Sequence, residues 1–247
     1  MLFFIPNGKD LREKDNMKAG QIWIIFLATI GLNIIINSTF IAVTGFFTGT
    51  GMEGITTTSD DLLTSGIEEA FAGLLLLACV AGFGEEFLFR KLLYKKMAGC
   101  PDILYILISG ITFGIMHSHV SMGFGHIVTG MMFAYIYLRT KSYLTVALLH
   151  TLIDTMTFFV FPLLTAFFGL TEFIVIIPLT LQITGIFVLI YFVIFYRKKM
   201  QWNLQPATEA GWEFASGKLP LRAALLNPGM AIFTIWCLGT MIYNLLS

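Results

Sequence analysis

Residues Gly82 to Arg90 read GFGEEFLFR, and they lie inside a hydrocarbon-like run from Ile67 through Leu93. Two adjacent carboxylates and an arginine are costly there. An ionisable side chain at bilayer depth costs at least ~2.5–3.5 kcal/mol, and such residues usually face a cavity or a partner and carry function. The run predicts a membrane-spanning helix with a functional site on it.

On a helix, Glu86 and Arg90 stand four apart with the acid first, the favourable order for an ion pair on one face. Glu85 is left over. At ~3.6 residues per turn it points about 100° away from Glu86, so it can face another wall of a bundle while Glu86 stays tied to Arg90. The plainer alternative pairs both acids with Arg90 or Lys91 near the helix end, which leaves Glu85 without an evident partner.

Working outward, the composition fits a membrane protein. The chain has 247 residues, 57% hydrophobic and 12% charged, with a mean hydropathy of +0.82, whereas soluble domains carry about 25% charged residues. Lys+Arg and Asp+Glu balance at 15 each, so nothing argues for nucleic acid or an acidic partner. Cys79, Cys100 and Cys237 are scattered and form no C-x-x-C pair, so neither a disulfide framework nor a thiolate metal site is signalled. No cofactor motif is present. MLFFIP followed by the charged Lys9-to-Lys18 stretch is the wrong order for a cleaved signal peptide.

Seven spans are expected in an all-α polytopic bundle, each near the ~20 residues that cross a bilayer. They run from about Gln21 to Phe47, Ile67 to Lys95, Ile103 to His117, Phe124 to Leu138, Ser142 towards Pro162, Phe173 to Tyr196 and Pro228 to Leu246. TTTSDD, ending at Asp61, reads as a helix start, Gly99 to Asp102 as a break, and Ser118 to Gly125 as a polar turn. Phe161 to Thr171 is too short to cross and reads as a broken or re-entrant piece; joined to another segment it would make an eighth span. Residues 1–20 form an N-terminal segment and residues 21–247 one membrane domain, with the catalytic core at about 66–160. Lysines and arginines gather in alternate loops, which predicts a cytoplasmic N-terminus and an external C-terminus.

Two further polar sets lie inside the spans: Phe113-x-x-x-His117 and His150-x-x-x-Asp154. A lone membrane histidine often serves only as an interhelical hydrogen bond. Measured at ~1.5 Å per residue from the inferred cytoplasmic ends, Glu85, His117 and His150 lie about 16, 22 and 13 Å deep. Glu85, Glu86, His117, His150 and Asp154 can therefore line one cavity. Two carboxylates and two imidazoles suit hydrolysis, with a glutamate as general base for water and an imidazole as donor to a developing oxyanion. His119 and His126 are weaker candidates. A rhomboid-type serine protease would want G-x-S-G, and a zinc protease H-E-x-x-H; the chain has neither. Two histidines and a glutamate could still nominally ligate zinc.

Glu85-Glu86-x-x-x-Arg90, Phe113-x-x-x-His117 and His150-x-x-x-Asp154, in that order and with those gaps, resemble the type II CAAX-prenyl endopeptidase and bacteriocin-processing family, also called CPBP or Abi. The resemblance covers about Phe71 to Thr155. It implies an intramembrane endopeptidase acting on a peptide or protein that is membrane-associated or lipidated. It further implies Glu85 as the base that activates water, Glu86 and Arg90 as its supporting pair, His117 as a second water-holding group, and His150 with residue 154 as the oxyanion side. No metal or cofactor is implied, and the setting is a bacterial cell membrane.

The family usually has Asn where this chain has Asp154. An ionised Asp opposes an oxyanion, so either it is protonated, it only orients His150, or activity is impaired. That last option keeps a membrane scaffold, sensor or bacteriocin-immunity protein as the rival reading. A small proton-coupled transporter is a further one, disfavoured by the absence of internal repeats.

Overall fold

A computed structural model describes residues 17–48, 67–97, 102–117, 120–160, 171–191, 194–195 and 228–246. Seven helices and no strands occur among them. They are α1 (Ala19–Thr48), α2 (residues 67–97), α3 (Asp102–Met116), α4 (Val120–Thr140), α5 (Tyr143–Val160), α6 (Thr171–Tyr191) and α7 (Pro228–Leu246). Each expected span has its helix. The TTTSDD helix start, residues 161–170 of the piece expected to be re-entrant and the polar segment before Pro228 lie outside the described residues, while Thr171 opens α6.

Among the described residues, three helices are long and apolar enough to cross a bilayer: Ala19–Phe40 of α1, Ala72–Leu93 of α2 and Tyr143–Val160 of α5. Shorter apolar helices run over Asp102–Met116, Gln182–Tyr191 and Ala231–Tyr243. Large apolar side chains stand exposed on the outer faces, among them Leu75, Leu76 and Val80 of α2, Phe187 of α6, and Ile235 and Trp236 of α7. Apolar surface of that extent is what hydrocarbon covers.

The centre of the bundle is α4. Phe133 through Leu138 are all buried, so every side of that stretch is walled by protein. Helix α4 packs against α3, α1 and α5, while α6 rests on α1 and α7 touches α3.

Two local features depart from the sequence reading. First, α4 begins at Val120, so Val120 to Gly125, expected as part of a turn from Ser118, are helical. The glycines that read as turn residues serve close packing instead. At Gly125 a Cβ would overlap the Asn37 amide of α1, and Gly123 lies against the Gly114 carbonyl of α3.

Second, α2 is not a plain α-helix: Ala78–Glu85 and Phe87–Leu93 are π-helical, with Glu86 between them. Wide turns of this kind concentrate at functional sites.

Between α4 and α5 the chain reverses through Lys141, whose φ of 51° is left-handed, a rare setting for a residue with a Cβ. Its N–H donates to the Tyr137 carbonyl at 2.7 Å, and its ammonium meets the Tyr94 hydroxyl and lies 4.5 Å from that ring's centre. Ser142 then caps α5 by accepting from the Thr145 N–H at 3.2 Å. The reversal sends α5 back along the π-helical part of α2, and that pairing carries the site.

Candidate functional site

Glu86 and Arg90 are wholly buried, with Oε2 and Nε 2.7 Å apart. The remaining guanidinium nitrogens are used as well. Nη1 donates to the Ser109 hydroxyl of α3 at 2.5 Å, and Nη2 reaches the Gly130 carbonyl of α4 at 3.4 Å. Its carbon lies 5.8 Å from the ring centres of Phe89 and Phe113. Arg90 thus ties three helices together at one point. Ser109 and Gly130 carried no signal in the sequence.

The other oxygen of Glu86 faces α5. His150 Nδ1 lies 3.0 Å from Glu86 Oε1, and His150 Nε2 lies 3.4 Å from Asp154 Oδ2. A carboxylate at each nitrogen favours the ring as a donor on both sides. Phe113 and Phe133 hold its faces, each with a centroid separation of 5.6 Å.

Glu85 is the contrast. Its Oε2 is buried and has no hydrogen-bond partner among the described residues. It lies within electrostatic reach of His150, Asp154, Glu86 and Arg90, while Lys91 sits over the Tyr143 ring instead, 5.7 Å from its centre. The plainer alternative, in which both acids pair with basic neighbours, does not describe this arrangement.

His117 lies just past the end of α3. Its Nδ1–H donates to the Phe113 carbonyl at 2.8 Å, so a neutral ring presents a lone pair at Nε2. The ring packs 4.8 Å from Phe113, which also contacts His150, so the two sequence motifs converge around one phenylalanine. Among the described residues, no three His, Cys, Asp or Glu side chains are grouped as a metal ion would need.

The close approach of α2 and α5 has its own cause. A Cβ at Gly82 would overlap the Thr151 side chain, so only glycine lets the helices meet there, one residue from His150. On the other flank the Tyr143 hydroxyl donates to the Phe83 carbonyl at 2.7 Å. Neither contact was visible as a motif.

Residues 67–156 match the family model for the type II CAAX prenyl endopeptidases, described as Rce1-like. That segment, a little over a third of the chain, is similar to this family. The matched segment takes in α2, α3, α4 and α5 as far as Met156, and contains every candidate residue named above; α1, α6 and α7 lie outside it. No curated protein and no solved structure matches the chain. The family itself is one of CAAX-type proteases embedded in membranes. Asp154, inside the matched segment, is aimed at His150 Nε2.

Proposed function

We propose that this protein hydrolyses a peptide bond within the membrane by direct attack of water, with Glu85 as general base. One observation carries the reading. Glu86 is consumed by Arg90 and His150, whereas the adjacent Glu85 has a buried carboxylate oxygen without a described partner, beside His150 and Asp154. A base must have a lone pair to spare.

In the proposed cycle, the water oxygen attacks the scissile carbonyl carbon while one water proton passes to Glu85. His117 Nε2 accepts the other water hydrogen bond and aligns the attack. The developing oxyanion draws the His150 Nε2–H away from Asp154, and Glu86 holds the ring through Nδ1. Collapse of the tetrahedral intermediate breaks the C–N bond, and Glu85 returns its proton to the leaving amine. Arg90 keeps the charge on Glu86 compensated throughout. The substrate is a peptide or protein segment reaching the site from the cytoplasmic side, with the bilayer as surrounding solvent and no nucleic acid involved.

The test is turnover of a peptide pool by purified protein in detergent, beside Glu85→Gln, with exhaustive chelation and metal content measured alongside. Glu85→Gln keeps shape and hydrogen bonding but removes the base. We expect turnover to fall by at least about 10²-fold while substrate binding is retained. Retained turnover in Glu85→Gln removes that residue from the mechanism, and activity lost on chelation and restored by stoichiometric zinc replaces it with a metal mechanism.

A further inference from the structure

His126 is a titratable side chain in the bundle that the proposed cycle does not use. Its ring stacks on His117, with centroids 3.8 Å apart and planes inclined by 24°. On its other side His117 meets Phe113 at 4.8 Å and 53°, and its Nδ1–H is bound to the Phe113 carbonyl. The hydrogen bond in its own plane and the two neighbouring rings therefore help to fix the His117 ring. Rotation about χ2 would break the hydrogen bond and drive the ring edge into His126.

The stack follows from how α3 and α4 meet. Gly110 and Gly114 stand four apart on α3, the small-x-x-x-small spacing that lets membrane helices approach closely. A Cβ on Gly114 would overlap the Ile127 side chain and crowd the Gly123 carbonyl, and one on Gly110 would overlap Met131. The α4 backbone beside His126 is held from α1 too, where Gly125 abuts Asn37 and Thr129 Oγ1 accepts from Asn33 Nδ2 at 2.7 Å. With the α4 backbone held between α3 and α1, His126 has little freedom to leave the face of His117.

Resting on the hydrolytic reading above, we propose that His126 is a positioning residue: its flat face sets the plane of the His117 ring, and so the direction in which Nε2 meets the attacking water. The role asks for an aromatic face at this position, not for a second proton carrier. Misplacing a reacting group by about 1 Å can cost 10²-fold in rate, so loosening one ring is enough to be felt.

The experiment compares His126→Ala and His126→Phe in the full-length protein, with thermal unfolding as the folding control. His126→Ala should lower kcat about tenfold or more with KM nearly unchanged, and His126→Phe should restore kcat to within about threefold of the parent. His126→Phe as inactive as His126→Ala, in a folded protein, would assign chemistry to the imidazole and overturn the proposal. Full activity in His126→Ala would overturn it as well.

A second readout does not depend on turnover: 15N NMR of histidine-labelled protein, with the His117 signals identified by His117→Gln. One Nδ1–H tautomer should persist in the parent and in His126→Phe, and give way to averaged signals in His126→Ala. A single tautomer in all three overturns the positioning role. If the tautomer pattern behaves as expected while no peptide is cut by the parent, the hydrolytic reading fails and the ring clamp stands.

Discussion

Arg90 has no water to fall back on: it is wholly buried, and Glu86, Ser109 and the Gly130 carbonyl take its nitrogens. Removing one member of a buried ion pair leaves the other charge uncompensated, at ~3–5 kcal/mol, while a lysine at the membrane edge can reach water along its own stem. Arg90→Ala should therefore abolish folding or activity where Lys91→Ala, exposed beside Tyr143, does little; equal, mild effects on yield and turnover would contradict this. Asp154 Oδ2 lies 3.4 Å from His150 Nε2, so in the proposed cycle it competes with the oxyanion for the proton there. A neutral amide competes less and can itself donate, so Asp154→Asn should preserve or raise kcat, measured on the same peptide. A fall in kcat would give Asp154 a role in chemistry beyond orienting the ring. Residue identities were legible at this scale because each motif is local: Glu86 with Arg90, and His150 with Asp154, are four apart and do pair. Ser109 was not legible, since a hydroxyl in an apolar helix carries no mark of which helix it will face.

The helices themselves were found from hydropathy, because a span must hide its backbone whatever it packs against. Their ends and pitch were harder. Val120 to Gly125 was misjudged because glycine marks both turns and close contacts, and only the position of Asn37 decides between them. The π-helical turns of α2 left no trace in the sequence, because an i→i+5 ladder is selected by packing and not by the residues that form it. Gly82 and Thr151 set the separation of α2 and α5 next to the Glu86–His150 contact. Gly82→Ala should lower activity sharply without unfolding the protein, by wedging the two helices apart. Adding Thr151→Gly should recover part of that loss, since it removes the atoms the new methyl meets. If the double variant is worse than Gly82→Ala alone in turnover, the contact is not a spacer.

For the whole molecule, the charge pattern predicts an odd number of crossings, so a reporter fused after Lys199 should read as cytoplasmic and one after Ser247 as external. A cytoplasmic C-terminus would require another crossing, with residues 161–171 the segment to supply it. The internal pairings have a consequence for how such a chain enters the membrane. Glu86 carries its counter-charge on its own helix, and Asp154 faces a histidine on its own helix, each four residues away. Neither α2 nor α5 has to wait for the other to compensate these groups, whereas the Glu86–His150 link needs both helices. The geometry is thereby suited to a two-stage biogenesis, in which Glu86 and Asp154 can enter lipid with a counterpart on their own helix and the candidate site is completed by lateral association of α2 and α5.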